Sequence, residues 1–291
     1  ATSQAAQDGI VHGTVAPPGA FEETGALVSQ AGLCTGTLIA PRAVLTAAHC
    51  LKEASRWAYF VPRARTFPLG AAPRYRVVAQ IPHPDYEKPG RRLFSRLESP
   101  LDERERAVAE EVLRRCGGTP AQRVRAWLSC LLQMPRALQW AVGLTDEQTP
   151  LPDIAVVMLD QPVEGAPLAA LPQAKSPGEP LPPVVGPVTM TAVGYGLHER
   201  NSIFRQPVAE RYTGQLRLDE LGSYVLEVMA GDAMVRPGDS GGPLYWGDGS
   251  SRTIWGVASW GVLSGGSADR AVYIRVDAYA DWIRAVVASY D

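Results

Sequence analysis

The stretch Gly238-Asp239-Ser240-Gly241-Gly242-Pro243 places a serine on a short segment rich in glycine. Far upstream, Leu45-Thr46-Ala47-Ala48-His49-Cys50 places a histidine at the end of an apolar stretch. A serine hydroxyl is a poor nucleophile until a nearby base takes its proton. Histidine is the usual base, because its unperturbed pKa lies near neutrality. The two stretches together indicate a serine that is activated by a histidine.

The order of these residues separates two classes of enzyme. A Gly-x-Ser-x-Gly pattern also forms the nucleophile elbow of α/β-hydrolases, in which the serine precedes the acid and the histidine. This chain excludes that order, because all of its 4 histidines (His12, His49, His83 and His198) precede Ser240. Taken alone, His49 is also compatible with a buried structural histidine. The order histidine before serine requires an acid between them.

Asp153 is the best candidate for that acid. It is followed by Ile154-Ala155-Val156-Val157-Met158-Leu159, an apolar run with β-branched residues that predicts a buried strand. A carboxylate at the mouth of such a strand is costly unless it is hydrogen-bonded, and an imidazole N–H is a natural partner. Asp146 and Asp160 are rivals, but neither is followed by such a run. A loop-end aspartate with no further role is the structural alternative.

These stretches resemble those of the trypsin/chymotrypsin family of serine proteases. The resemblance continues through Ile10–Gly13, Gly32–Ile39, Ser259–Gly261 and Val272–Val276. It implies a mainly β fold with two antiparallel Greek-key β-barrels and a C-terminal helix. The 28 glycines and 25 prolines separate short apolar runs, which is typical of an all-β fold.

The resemblance also implies the domain boundaries. A propeptide-like segment covers residues 1–9, and one protease domain covers residues 10–291. Within that domain we expect the first barrel at about 24–160, the second at about 161–276 and the closing helix at about 277–289.

The family pattern assigns roles to individual residues. Ser240 would attack the scissile carbonyl, His49 would carry the proton and Asp153 would orient His49. The backbone N–H groups of Gly238 and Ser240 would stabilise the oxyanion. The specificity pocket would be formed by Met234, Val235, Ser259, Trp260, Gly261 and Ala271.

Met234 stands where trypsin-like members carry an aspartate that pairs with Lys or Arg. A cationic side chain would be buried there without a partner, which is costly. The resemblance therefore predicts a preference for an apolar residue before the scissile bond. Asp269 on a neighbouring loop remains an alternative partner for a cation.

The start of the chain bears on activation. In the family, the freed amino group of the residue that corresponds to Ile10 pairs with the residue that corresponds to Asp239. Here Gly9 precedes Ile10, where trypsin-like activators cut after Lys or Arg. The chain is therefore predicted to be a zymogen-like form of low activity, unless it orders the loop around Ser240 without that ion pair.

The 4 cysteines fall into two pairs. Cys34 and Cys50 occupy positions that the family bridges, which implies an oxidising compartment and a secreted or periplasmic protein. Cys116 and Cys130 lie in a region without a family counterpart, and whether they are bonded stays open.

That region is an insert at about residues 88–149, before Asp153. It predicts helices, because Val124, Trp127, Leu128, Leu131 and Leu132 form an apolar stripe at helical spacing. Since the insert ends a few residues before Asp153, its base must lie near the catalytic acid, and we expect it to control access of substrate. The alternative is that it only packs on the first barrel.

The sequence thus predicts a serine endopeptidase. A non-catalytic binding protein on the same fold and an esterase using the same residues remain alternatives. A net charge of −2 argues against a nucleic-acid partner, and no apolar run of about 18 residues predicts a membrane span. We expect no cofactor and no metal, and a monomer whose partners are a protein or peptide substrate, and an inhibitor or an activating protease.

Overall fold

The computed structural model describes the strands and loops around the predicted site. The described residues are 10, 13–29, 32–51, 58–64, 72–86, 152–175, 188–196, 210–222, 224–229, 235–247, 249–262 and 270–290. Residues 1–9, the insert predicted at 88–149 with Cys116 and Cys130, and Met234 lie outside them. The chain divides into two units, of which one comprises residues 1–83 and 153–291 and the other residues 84–152.

The first barrel is closed and antiparallel, with the strand order β2-β3-β4-β7-β6-β5. Because β5 returns to pair with β2, the order β5-β2-β3-β4 is a Greek key. All five residues of β7 are buried, as its continuous apolar run predicts. The strands are β2 (Thr24–Ser29), β3 (Gly32–Ala40), β4 (Ala43–Thr46), β5 (Ala58–Pro62), β6 (Tyr75–Pro82) and β7 (Ala155–Leu159).

The second barrel is also closed and antiparallel. Its strands follow the order β8-β9-β10-β13-β12-β11, and β11 pairs with β8, so that β11-β8-β9-β10 repeats the Greek key. A short strand, β1 (Thr14–Val15), pairs with Tyr212 and Thr213 at the start of β9. The barrel strands are β8 (Thr189–Gly194), β9 (Tyr212–Leu221), β10 (Val225–Met229), β11 (Pro243–Trp246), β12 (Thr253–Val262) and β13 (Arg270–Arg275).

A shared apolar core joins the barrels. One buried cluster contains Val156 and Leu45 of the first barrel together with Tyr245 and Val257 of the second. The chain closes with a 3-10 turn at Asp277–Tyr279 and helix α1 (Ala280–Ala288). The inward face of α1 carries Ile283, which belongs to the same cluster. The predicted mainly β fold with two barrels and a C-terminal helix is confirmed.

Two further features of the fold concern its helices and a disulfide. No helix in the described part of the chain is long and apolar enough to cross a membrane. Cys34 and Cys50 are joined by a disulfide, with their Cα atoms 6.2 Å apart. The disulfide ties β3 to the 3-10 turn Ala48–Cys50, which carries His49.

Candidate active site

His49 and Asp153 meet because their strands are neighbours. Strand β4 ends at Thr46, which pairs with Ala155 at the start of β7. The residues just beyond these ends therefore come together at one edge of the first barrel. His49 Nδ1 lies 2.6 Å from Asp153 Oδ2, and the His49 backbone N–H donates to Asp153 Oδ1 at 2.8 Å.

The Asp153 carboxylate is buried and is surrounded by hydrogen-bond donors. It also accepts a hydrogen bond from the Ser259 hydroxyl of β12. Three donors thus converge on one carboxylate, which offsets the cost of removing it from water. Because Nδ1 of His49 faces an acceptor, the arrangement favours the tautomer in which Nε2 is free to act as a base.

Ser240 lies in the loop that precedes β11. Its carbonyl oxygen accepts a hydrogen bond of 2.8 Å from the Thr35 N–H and lies 3.6 Å from Cys50 Sγ, next to His49. Gly241 has φ +81°, and a Cβ there would collide with Thr46 Oγ and the Thr35 carbonyl. The glycine after Ser240 therefore lets the loop approach the first barrel closely.

The Ser240 hydroxyl forms no hydrogen bond with His49 in this structure. The structure nonetheless brings the Ser240 backbone to the His49 segment.

The residues before Ser240 form a tight turn. The Asp239 N–H donates to the Arg236 carbonyl at 2.9 Å, with Pro237 and Gly238 at the centre of the turn. Gly238 has φ +104°, in the region that a type II turn requires at its third residue. Among the described residues, the N–H groups of Gly238 and Ser240 donate to no backbone carbonyl.

The Asp239 carboxylate packs against Gly194 and Gly196, at the end of β8 in the second barrel. It is buried and accepts hydrogen bonds of 2.7 Å from the N–H groups of Gly196 and Arg236. Burial raises the pKa of Asp239 to about 7, although the two hydrogen bonds act in the opposite direction. Ile10 is fully buried in the core of the same barrel. The ion pair between a freed Ile10 amino group and Asp239 stays a prediction.

The predicted specificity pocket is described in part. Ala271 of β13 is buried and pairs with Gly261 of β12, and Val235 packs against the apolar core of the second barrel. β11 pairs with β12 only as far as Val257, so the described strands leave that edge of β12 unpaired beside Ser259–Gly261. An unpaired edge of this kind can bind the extended backbone of a peptide. Met234 lies outside the described residues.

The structure also bears on metal binding. Within the described ranges, one group of three potential ligands lies close together, namely Cys34, His49 and Cys50. Both cysteines belong to the disulfide, so neither offers a thiolate to a metal ion. The arrangement around His49 therefore does not make a zinc site of the usual kind.

Two contacts of the site were missed by the sequence reasoning. Ser259 was assigned to the specificity pocket, yet its hydroxyl contacts the Asp153 carboxylate. Thr35 received no role, yet it hydrogen-bonds both Gly238 and Ser240. Thr35 follows Cys34 directly, and the predicted bridge from Cys34 to Cys50 was the one available signal that it lies near His49.

Comparison with known families agrees with this geometry. The family model described as Trypsin matches residues 10–111 and 139–283, which is most of the chain. The chain therefore belongs to the trypsin family and has a serine protease fold. The interruption of the match, residues 112–138, falls inside the predicted insert.

Proposed function

We propose that this protein is a serine endopeptidase that hydrolyses peptide bonds through an acyl-enzyme formed on Ser240. The observation that carries the proposal is the contact of His49 with Asp153 beside the Ser240 loop. Members of the trypsin family act on protein and peptide substrates, and some are inactive. Here the three residue types that the chemistry needs are all present, in the order that the family requires.

The geometry supports the following sequence of events. His49 Nε2 accepts the proton as Ser240 Oγ attacks the carbonyl carbon of the scissile bond. Asp153, which already faces Nδ1 at 2.6 Å, stabilises the imidazolium that forms. His49 then donates the proton to the departing amine, and the C–N bond breaks. His49 then takes a proton from a water molecule, whose oxygen attacks the acyl carbon of the ester on Ser240. The bond between that carbon and Oγ breaks, and His49 returns the proton to Oγ.

The negative charge on the carbonyl oxygen needs its own stabilisation. The N–H groups of Gly238 and Ser240, which donate to no described carbonyl, would bind this oxygen. Fixed donors of this kind act without reorganisation at the moment of reaction. Removal of one such donor typically lowers kcat by about 100- to 1000-fold.

Substrate recognition follows from the pocket and the strand edge. Two observations support a preference for an apolar side chain before the scissile bond: Ala271 is buried, and Met234 stands in the sequence where trypsin-like members carry an aspartate. The unpaired edge of β12 beside Ser259–Gly261 supports binding of the substrate as an added strand. The disulfide supports a secreted or periplasmic location, where thiols are oxidised.

Replacement of the nucleophile tests the proposal. Ser240→Ala should lower kcat by about 10⁶-fold, while thermal unfolding stays as in the wild type. A fluorophosphonate probe should label the wild-type protein at Ser240 and leave the variant unlabelled. The matched control is Ser289→Ala in the exposed turn after α1, which should keep full activity. Undiminished peptide hydrolysis by Ser240→Ala would refute the assignment.

A further inference from the structure

Thr35 makes four hydrogen bonds at the junction of the two barrels. It belongs to β3 of the first barrel and is fully buried. Its N–H donates to the Ser240 carbonyl at 2.8 Å, and its hydroxyl donates to the Gly238 carbonyl at 2.8 Å. The same hydroxyl accepts the Tyr195 N–H at 3.0 Å, and the Thr35 carbonyl accepts the Thr46 hydroxyl at 2.9 Å.

Two of these contacts hold the two ends of the segment Gly238–Ser240. The N–H groups of Gly238 and Ser240 donate to no described backbone carbonyl. The Pro237-Gly238 pair favours a turn with positive φ at its glycine, but Gly238 tolerates either sign of φ. Contacts made by the neighbouring peptide groups therefore add to the selection of the conformer with φ +104°. Thr35 supplies two of these contacts, one to the carbonyl of Gly238 and one to the carbonyl of Ser240.

The Thr35 hydroxyl also reaches the residues that surround Asp239. Tyr195, whose N–H it accepts, lies between Gly194 and Gly196, and Gly196 donates to the Asp239 carboxylate. A Cβ at Gly194 would collide with that carboxylate, so this segment is packed directly against it. One hydroxyl of the first barrel therefore joins two segments of the second barrel, on either side of Asp239.

We propose that Thr35 is a positioning residue, whose hydroxyl holds the Gly238–Ser240 segment in the conformation that presents its N–H groups to an oxyanion. The proposal rests on the proposed function. It predicts that loss of the hydroxyl weakens stabilisation of the transition state and leaves binding of the ground-state substrate nearly unchanged. The residue touches neither the substrate nor the reacting atoms.

Strand β3 offers a matched control two residues away. Thr37 is also buried, and its hydroxyl has no hydrogen-bond partner among the described residues. Thr35→Val and Thr37→Val therefore delete the same atom type from the same strand at the same depth. Thr37→Val should keep wild-type kcat and KM, because it removes an unpaired polar atom. Thr35→Ser keeps the hydroxyl and should therefore keep an activity close to that of the wild type.

The experiment compares these three variants with the wild type. Thr35→Val should lower kcat about 10- to 100-fold with KM within about threefold, and Thr35→Ser should stay within about threefold of the wild type. Affinity for a peptide aldehyde, which forms a tetrahedral adduct, should fall in parallel with kcat. Should Thr35→Val fail to fold, Thr35→Ala replaces it in the same comparison.

A readout that does not depend on activity separates the two proposals. Amide hydrogen exchange at Tyr195 should accelerate in Thr35→Val and remain as in the wild type in Thr37→Val. An active wild type whose Thr35→Val variant loses no more kcat than Thr37→Val overturns the role of Thr35 alone. A wild type that neither hydrolyses peptides nor reacts with a fluorophosphonate at Ser240 overturns the proposed function, and the role of Thr35 with it.

Discussion

Asp153 holds His49 at two points. One carboxylate oxygen accepts the backbone N–H of His49 at 2.8 Å, and the other faces the ring Nδ1 at 2.6 Å. The backbone contact fixes where the histidine lies, and the ring contact selects its tautomer. Since the Ser259 hydroxyl also donates to this carboxylate, Asp153 is the residue on which β7, β12 and the His49 turn converge.

Substitution of Asp153 by asparagine should therefore act through the tautomer of His49. The amide nitrogen of Asp153→Asn cannot accept a hydrogen bond from Nδ1–H of His49. The other tautomer, with the proton on Nε2, is then favoured, and Nε2 can no longer take the proton of Ser240. We expect kcat to fall by about 10⁴-fold, as in the template enzyme of this mechanism. Ser259→Ala removes a donor to the same carboxylate without changing the tautomer, so its loss should not exceed about 100-fold. Peptide hydrolysis by Asp153→Asn above a tenth of the wild-type rate would contradict this role.

The disulfide should contribute to the stability of the fold. Cys34 and Cys50 are 16 residues apart, and closing a loop of that size stabilises the folded state by about 3 kcal/mol in the chain-entropy model. The double variant Cys34→Ala/Cys50→Ala should lose roughly this amount in urea denaturation. Mass mapping of non-reduced peptides checks the bond itself and decides whether Cys116 and Cys130 are also joined. A free Cys34 would count against an oxidising compartment.

Asp239 should report on activation through its pKa. A carboxyl whose pKa is raised to about 7 by folding stabilises the folded state at pH below about 4, and this contribution is lost as the pH rises through 7. Carbon-detected NMR of the full chain should give a midpoint near 7 for this carboxyl. A chain that begins at Ile10 should show a lower midpoint, because a nearby ammonium favours the carboxylate.

The same two chains test whether cleavage before Ile10 raises activity. We expect the chain that begins at Ile10 to hydrolyse peptides faster than the full chain, because the ion pair would help to order the Ser240 loop. Equal rates, with no change in the Asp239 midpoint, would mean that this protein orders its loop without the amino group. The hydrogen bonds from Gly196 and Arg236 would then be sufficient.

The specificity pocket should reject cations. Burying Lys or Arg without a partner costs several kcal/mol, so cleavage after an apolar residue should be favoured by at least about 100-fold in a peptide library. Met234→Asp should raise cleavage after Lys and Arg, since it supplies the missing charge. Preferred cleavage after Lys or Arg by the wild type would refute the prediction. In that event, loss of this preference in Asp269→Asn would identify Asp269 as the partner.

The insert should control access of substrate to Ser240. Deletion of residues 90–147 with a short Gly/Ser linker distinguishes the possibilities. A lid predicts faster hydrolysis of small peptides by the deletion variant. A recognition element predicts slower cleavage of proteins with small peptides unaffected. A folded variant with both rates unchanged would show that the insert is structural, against our expectation.

Much of the fold could be predicted from the chain. The apolar run at 154–159 predicts a buried strand, and the strand that forms there, Ala155–Leu159, is buried throughout. The order of His49, Asp153 and Ser240 excludes an α/β-hydrolase because chain order is a property of sequence alone.

Other features were decided only by the tertiary structure. Thr35 lies 203 residues from Gly238, and Ser259 lies 106 residues from Asp153, so no periodicity or local propensity connects them. The raised pKa of Asp239 likewise depends on its complete burial, which no neighbouring residue in the sequence encodes. Local patterns determine which residues form strands and turns. The closing of each barrel and the packing of one on the other decide which side chains meet, because those contacts join residues far apart along the chain.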